Sequence, residues 1–295
     1  MLDRNAFRQW GIPAATAVVL LSLGGCSLAD FPILLAAGPV ATTERDLLFR
    51  AVAIMMIVVV PVFVLTAWFA WRYRASNTRS RYEPEWMSRA VDIAVWTIPA
   101  LIVVTLGAHV WTYTHALDPY RALDPATKPV RVEVVAQDWK WLFIYPDEGI
   151  ATVNELAFPS NTPLSLTLTS DTVMNAFFIP ALGSQIYVMA GMTTRLNLLA
   201  DRTGRFIGRN TQYSGDGFAT QQFDAVAMSE ADFRNWVTQV KASPTVLDDT
   251  AYAALAKPAA AAPIAYYSGF EPGLFDRILA KYRGDMSAQA GMSAH

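Results

Sequence analysis

Two long apolar segments dominate the N-terminal part of the chain. Ala51–Trp71 contains no charged side chain, and neither does Ile93–Trp111. Each is about as long as the roughly 20 residues that a helix needs to cross the hydrocarbon core of a bilayer. The pattern therefore predicts a membrane helical hairpin, with transmembrane helices at residues 47–72 and 91–112.

The segment between the two spans, residues 73–90, fixes their direction. Short cytoplasmic loops of membrane proteins carry an excess of arginine and lysine. The segment and its borders contain five arginines: Arg72, Arg74, Arg79, Arg81 and Arg89. We expect this loop in the cytoplasm, and everything that precedes the first span or follows the second on the outer side of the membrane.

The first 25 residues have the pattern of an export signal. Arg4 and Arg8 precede a short apolar stretch, Ile12–Leu23, and small residues then lead to Cys26. This order predicts a lipoprotein signal peptide that is cleaved before Cys26, with a lipid on the cysteine sulfur and residues 26–46 exported. The alternative is an uncleaved anchor with a chance cysteine.

A twofold pattern replaces the apolar runs after a proline-containing linker at residues 113–129. Val130, Val132 and Val134 alternate with polar residues, and other short segments repeat this alternation. They include Trp139–Phe143 and Leu164–Leu168. Short alternating runs separated by Pro, Gly and Asn predict an all-β antiparallel sandwich at residues 130–228.

The pattern becomes helical again in residues 229–283. Ser229 with Asp232 three positions later predicts a helix start. Phe233, Trp236, Val237 and Val240 follow at helical spacing. We expect further short helices at residues 251–262 and 274–282, and a disordered tail at residues 284–295.

Composition excludes several classes of protein. Only 16% of the residues are charged, against about 25% in soluble domains, and the deficit lies in the apolar N-terminal part. A net charge of −2 gives no basic stripe for nucleic acid. The single cysteine excludes a disulfide framework and any metal site built on two thiolates.

Several longer motifs make the chain resemble subunit II of the haem–copper oxidases, from Cys26 to about Tyr282. The resemblance implies a cupredoxin-like fold for the exported domain. It is carried by Asp138-Trp139-Lys140-Trp141, Phe143-Ile144-Tyr145-Pro146, Gly149-Ile150-Ala151-Thr152-Val153-Asn154-Glu155, Val173-Met174-Asn175-Ala176-Phe177-Phe178-Ile179-Pro180, Leu182-Gly183-Ser184-Gln185-Ile186-Tyr187 and Tyr213-Ser214-Gly215-Asp216-Gly217-Phe218.

In members of that family that oxidise cytochrome c, the exported domain holds a dinuclear copper centre. Its ligands are two cysteines, two histidines, a methionine and a glutamate carbonyl. The resemblance places Asn175 and Gln221 at the histidines, Tyr213 and Gly217 at the cysteines, Gly215 at the glutamate and Asp224 at the methionine. We therefore expect no metal, no cofactor and no catalytic residue in this chain.

The resemblance implies the quinol-oxidising branch of the family, the cytochrome bo type. The chain would be a non-catalytic subunit of the inner membrane, with its C-terminal domain in the periplasm. Its expected partners are subunit I, which holds the haems and copper, the other small subunits, ubiquinol as electron donor, and membrane lipids. Two alternatives remain: a copper-binding subunit II of a cytochrome c oxidase, and a free-standing periplasmic lipoprotein that binds a partner.

A few residues carry separate hypotheses. Asp92 lies at the cytoplasmic start of the second span, where the resemblance implies the mouth of a proton path into subunit I. The alternative is a solvated carboxylate that interacts with the helix dipole. Trp139 and Trp141, three methionines and two histidines are interpreted as packing or interface residues. The methionines are Met174, Met189 and Met192, and the histidines are His109 and His115.

Overall fold

The computed structural model describes residue 31 and residues 33–77, 88–124, 126–183 and 185–282. Four predicted features therefore lie outside the described residues. They are the signal peptide, Cys26, Arg79 with Arg81 in the cytoplasmic loop, and the tail at residues 284–295.

Two long helices precede the β domain. Helix α1 runs over Pro39–Arg72 and helix α2 over Arg89–Ala116. Both are long and apolar enough to cross a membrane, and their most apolar windows contain no buried residue within the chain. Helix α1 begins before the predicted span because Pro39 suits a first helical position and residues 42–46 add polar turns above the apolar part.

The outer ends of the two helices are joined by a hydrogen bond. The Arg50 guanidinium donates to the Tyr113 hydroxyl over 2.6 Å. Arg50 stands immediately before the uncharged run of α1, and Tyr113 follows that of α2. The contact therefore fixes the helices to each other near the ends that adjoin the sandwich.

Eleven strands are described after the hairpin, and they form two sheets. The first sheet has the order β11-β3-β2-β1-β5-β8 and the second the order β4-β10-β9-β6-β7. The strands are β1 Val130–Gln137, β2 Lys140–Tyr145, β3 Ile150–Val153, β4 Glu155–Pro159, β5 Leu164–Ser170, β6 Asn175–Phe178, β7 Ile186–Val188, β8 Thr194–Leu198, β9 Gly204–Asn210, β10 Gln222–Met228 and β11 Ala265–Tyr267.

The prediction of a purely antiparallel sandwich was wrong in two places. Strand β1 pairs parallel with β5, and β10 pairs parallel with β4. The chain leaves the first sheet after β3, contributes β4 to the second sheet, and returns to place β5 beside β1. Such a crossover makes neighbours parallel, whereas alternation in the sequence reports only which face a residue occupies.

The main core fills the space between the sheets. Trp141, Phe143 and Tyr145 of β2 point into it, and Phe177 and Phe223 meet them from the second sheet. The alternate residues Leu142 and Ile144 pack on the outside of the first sheet against the C-terminal segments. Strand β2 is therefore buried on both faces. This explains why the residues between those that face the core, Leu142 and Ile144, are apolar as well.

A segment before α1 attaches the hairpin to the sandwich. The backbone N–H of Ala37 donates to the Ala181 carbonyl over 2.7 Å, and that of Ala41 donates to the Leu182 carbonyl over 3.2 Å. At Gly38, a Cβ atom would stand 2.1 Å from the Leu199 carbonyl oxygen. Glycine is required there because the two backbones approach too closely for a side chain.

The described part of the chain after β10, up to residue 282, contains three helices and one strand. Helix α3, Glu230–Lys241, begins as predicted, because Ser229 accepts a hydrogen bond from the Asp232 N–H and Phe233, Trp236, Val237 and Val240 are buried. Helix α4, Asp249–Leu255, is shorter than expected. Residues 274–282 form helix α5. Strand β11 was not predicted, and it extends the first sheet by pairing with β3.

Two buried carboxylates hold this C-terminal part on the sandwich. Asp171 accepts hydrogen bonds from the Tyr252 hydroxyl at 2.6 Å, the Lys281 ammonium at 2.8 Å and the Tyr282 hydroxyl at 2.9 Å. Glu155 accepts from the Trp236 indole at 2.9 Å and the Tyr266 hydroxyl at 2.7 Å. A buried carboxylate is stable only with such donors, so each one ties distant segments together.

We predict that Tyr266→Phe lowers the free energy of unfolding of the full chain by about 1.5–3 kcal/mol, the range for a hydrogen bond to a charged group. Chemical denaturation in detergent at neutral pH measures this change. Tyr267→Phe, the same change at the next residue of β11, is the matched control and should leave the stability unchanged. Equal stability of Tyr266→Phe and the parent would contradict the role of this hydrogen bond.

The same pair predicts a pH dependence. Burial, with the hydrogen bond to Glu155, raises the pKa of Tyr266 from 10.0 to about 12. The neutral hydroxyl therefore stabilises the fold fully below pH 10, and this contribution is lost as the pH rises towards 12. Repeating the denaturation across this range should show a smaller alkaline loss in Tyr266→Phe than in the parent chain.

Candidate functional site

The residues singled out in the sequence converge at one end of the sandwich, called here the loop end. It consists of the β1–β2 turn, the segment before β6 and the β9–β10 loop, residues 211–221. Asn175 and Gln221 touch there, because the Gln221 Nε2 donates to the Asn175 Oδ1 over 3.1 Å. Tyr213, Gly215 and Gly217 lie in the loop beside them. The structure thus brings five of the six predicted positions to this end.

Asp224 is the exception. It lies in β10, opposite Ile207 of β9. Its carboxylate accepts a hydrogen bond from the Arg205 guanidinium over 2.6 Å. The side chain is therefore engaged in an ion pair on the outer face of the second sheet, and it does not join the amides of Asn175 and Gln221.

A closed network of amides fills the centre of the loop end. Asn175, Gln221 and Asn210 are 0%, 1% and 5% exposed. The Asn210 Nδ2 donates to the Asn175 Oδ1 at 2.8 Å and to the Gln221 Oε1 at 2.9 Å. The Ser214 hydroxyl donates to the same Gln221 oxygen at 3.0 Å. The amide oxygens of Asn175 and Gln221 are thus already occupied by donors of the network.

Asn210 also organises the loop that follows it. Its Oδ1 accepts hydrogen bonds from the backbone N–H of Ala176 at 2.8 Å and of Gln212 at 3.0 Å. Neither Asn210 nor Ser214 was identified from the sequence as a site residue. Their polar side chains look like ordinary loop residues, since a single sequence does not distinguish a buried asparagine from an exposed one.

The indole of Trp139 covers the other half of the loop end. Trp139 has a φ of 64°, an uncommon conformation for a large residue, and its Nε1 donates to the Ser214 carbonyl over 3.1 Å. A Cβ atom at Gly217 would lie 2.2 Å from the Trp139 ring, and one at Gly215 would lie 3.4 Å from it. The ring thus fills the space that a side chain at Gly217 would need.

The residues present do not fit the dinuclear copper centre of the cytochrome c-oxidising relatives. Such a centre requires thiolate sulfur, which stabilises copper, and the two positions that the resemblance assigns to cysteine hold Tyr213 and Gly217. Tyr213 is 70% exposed and its ring contacts Phe218 edge-on at 5.7 Å. Within the described ranges, no group of three or more His, Cys, Asp or Glu side chains is arranged to hold a metal ion.

The aromatic and methionine positions divide into two groups. Trp141 packs in the core as predicted, with its ring edge-on to Phe177 at 5.2 Å. Met174 and Met192 do not pack in the core, since they are 39% and 44% exposed at the loop end. The prediction of packing was wrong for these two because the loops before β6 and β8 turn them outward.

The remaining candidates lie on α2. Asp92 stands in the first turn of the helix, with an exposed side chain. His109 and His115 are bonded through Nδ1 to carbonyls of their own helix, those of Thr105 at 2.8 Å and Trp111 at 2.7 Å. The histidines lie in the C-terminal part of the helix, and their place at a membrane interface stays a prediction.

Comparison with known proteins supports the resemblance over most of the chain. The family described as "Cytochrome C oxidase subunit II, periplasmic domain" matches residues 101–223. The "COX Aromatic Rich Motif" matches residues 241–286, which include the tyrosines that bind Glu155 and Asp171.

Three curated relatives are similar over nearly the whole length. Cytochrome bo(3) ubiquinol oxidase subunit 2 of Pseudomonas putida is 49% identical over 94% of this chain and 87% of its own length. The protein of the same name from Pseudomonas aeruginosa is 50% identical over 92% and 82%. Ubiquinol oxidase subunit 2 of Acetobacter aceti is 46% identical over 90% and 86%. With this identity over this length, the chain belongs to the ubiquinol oxidase subunit 2 family, within the wider group of subunit II proteins of haem–copper oxidases.

Proposed function

We propose that the chain is the non-catalytic subunit II of a membrane oxidase that oxidises ubiquinol and reduces oxygen to water. The observation that carries this proposal is the filled loop end. Where cytochrome c-oxidising relatives hold copper, this chain has a hydrogen-bonded amide network and a tryptophan ring. Electrons from cytochrome c would find no relay in this domain, so a membrane-soluble donor is favoured.

The energetics of the loop end argue against the copper-binding alternative. Converting the site would mean removing amides that satisfy one another in a buried position, which leaves unpaired polar groups. It would also mean moving the Trp139 ring away from Gly217. A single substitution cannot create the site, because soft sulfur ligands are required at both loop positions.

The free-standing lipoprotein alternative is disfavoured by the hairpin. Apolar residues of both helices are exposed within the chain, including Phe63 at 73% and Trp96 at 80%. A simple anchor needs one span, whereas a hairpin offers a broad surface for packing against other membrane helices. We propose subunit I, the carrier of haem and copper, as the main partner on this surface, in the inner membrane and with the sandwich in the periplasm.

The proposed function predicts the electron donor. The intact purified complex should consume oxygen with ubiquinol and show no oxidation of reduced cytochrome c above background. Copper analysis, with electron paramagnetic resonance, should find no mixed-valence copper pair. A copper pair assigned to this chain, or turnover with cytochrome c, would overturn the proposed function.

A second role is proposed for Asp92 in proton uptake. The arginine-rich loop places the start of α2 at the cytoplasmic side, and Asp92 lies exposed in the first turn of this helix. An ionisable residue in a membrane-spanning helix is a functional candidate, and at the cytoplasmic end of the helix this carboxylate can exchange protons with water. The competing role, stabilisation of the helix by its N-terminal dipole, concerns folding only.

We predict that Asp92→Asn slows quinol-dependent oxygen uptake about tenfold, which corresponds to roughly 1.4 kcal/mol of barrier. The haem content of the assembled complex should stay normal. Asp92→Glu should retain most activity, and Asp46→Asn at the outer end of α1 serves as the control. Reduced haem content with unchanged turnover per haem would instead assign Asp92 to helix stability.

Lipidation of Cys26 is also proposed, from the signal pattern of residues 1–25. Two membrane helices already anchor the chain, so the lipid would only assist attachment. Intact mass measurement should find the mature chain starting at Cys26 with a diacylglycerol on its sulfur. Cys26→Ser should lose the lipid and yet remain in the membrane after carbonate washing. A mature chain that starts at Met1 would refute the processing.

A further inference from the structure

The outer face of the second sheet contains an arginine whose Nε has no hydrogen-bond partner among the described residues. Arg209 lies in β9, between Phe178 of β6 and Gln222 of β10. Its Nε is buried and has no hydrogen-bond partner in the described part of the chain. Buried polar groups nearly always have a partner, so a charged group left in this state requires an explanation.

The carboxylate on the neighbouring strand does not form an ion pair with Arg209. Asp224 projects from the same face, opposite Ile207, but it is bound by the Arg205 guanidinium at 2.6 Å. The Asp224 carboxylate is thus paired with Arg205 across the two strands and is not the partner of the Arg209 guanidinium. An arginine fork is suited to bind a carboxylate through two parallel hydrogen bonds.

The surroundings of Arg209 are apolar and exposed. Ile207 is 51% exposed and Tyr187 is 47% exposed, and Phe178 is half-buried beside Arg209. We call this surface, formed by Phe178, Tyr187, Ile207, Arg209 and Gln222, the Arg209 face. Aromatic residues and arginine are the types enriched at the centres of protein interfaces.

The Arg209 face adjoins the place where the sandwich meets the membrane helix. Strand β6 runs from Phe178 into the 179–183 turn. In this turn, the carbonyls of Ala181 and Leu182 accept hydrogen bonds from Ala37 and Ala41 at the start of α1. Extramembrane loops of a neighbouring multispan protein would lie at this level, whereas the far side of the sandwich is out of their reach.

We propose that the Arg209 face docks a carboxylate-bearing extramembrane loop of another, multispan subunit of the oxidase. The inference rests on the proposed function for the identity of the complex. The carboxylate binds the Arg209 guanidinium, while Ile207 and Tyr187 exclude water around the pair. The docking orients the sandwich against the partner through one specific charge contact.

The test uses the whole complex, purified through a tag on the large subunit. Arg209→Glu should lower the recovery of this chain with the tagged subunit at least fivefold at unchanged abundance in the membrane. Arg209→Lys, which keeps the charge and loses the fork, should give an intermediate value. Arg195→Glu, the same charge change at an exposed position of β8, is the matched control. Recovery of Arg209→Glu at the parental level would overturn the proposal.

A second measurement covers the case in which Arg209→Glu does not accumulate. A photo-cross-linking phenylalanine derivative in place of Ile207 leaves Arg209 intact. Illumination should link it to an acidic loop of another oxidase subunit. Links only to lipid, to a second copy of this chain or to a soluble protein, or no link at all, would overturn the proposal. Neither readout depends on the electron donor. A failure of the docking proposal is therefore distinguishable from a failure of the proposed function, which the quinol assay tests.

Discussion

The loop end of this protein is organised by the rule that a buried polar group needs a partner. Asn175, Asn210 and Gln221 are almost inaccessible to solvent, and each amide is stable there only because the other two complete its hydrogen bonds. The network joins the start of β6, the end of β9 and the residue before β10. The position of the β9–β10 loop, of Ser214 and of the Trp139 ring above it all follow from this arrangement.

Local features of the fold were predictable, because they depend on neighbouring residues. The apolar runs predicted the two long apolar helices. Ser229 with Asp232 predicted the start of α3, because a helix cap involves residues only three positions apart. The alternation of Val130, Val132 and Val134 gave the buried face of β1. None of these features depends on where the rest of the chain lies.

Features that depend on distant residues were missed. Alternation reports which face a residue occupies and says nothing about the neighbouring strand, so the parallel pairings of β1 and β10 were not foreseen. Trp139 was assigned to the same alternating run as Trp141, but its positive φ places it in a turn over Gly217. The partners of Glu155 and Asp171 are about a hundred residues away, and no short pattern connects them. Candidate positions were found through the resemblance, whereas the network that fills them required the structure.

The segment before α1 has a mechanical consequence. A membrane-anchored domain that is connected through one linker can change its orientation, but this sandwich is attached to the hairpin at two points. Residues 117–129 lead into β1 from one helix, and Ala37, Gly38 and Ala41 contact the sandwich at the start of the other helix. Two attachments at separate helices remove the free rotation that a single tether allows. The domain is thus held in one orientation relative to the hairpin, whereas a domain that travels between partners would need a single flexible linker.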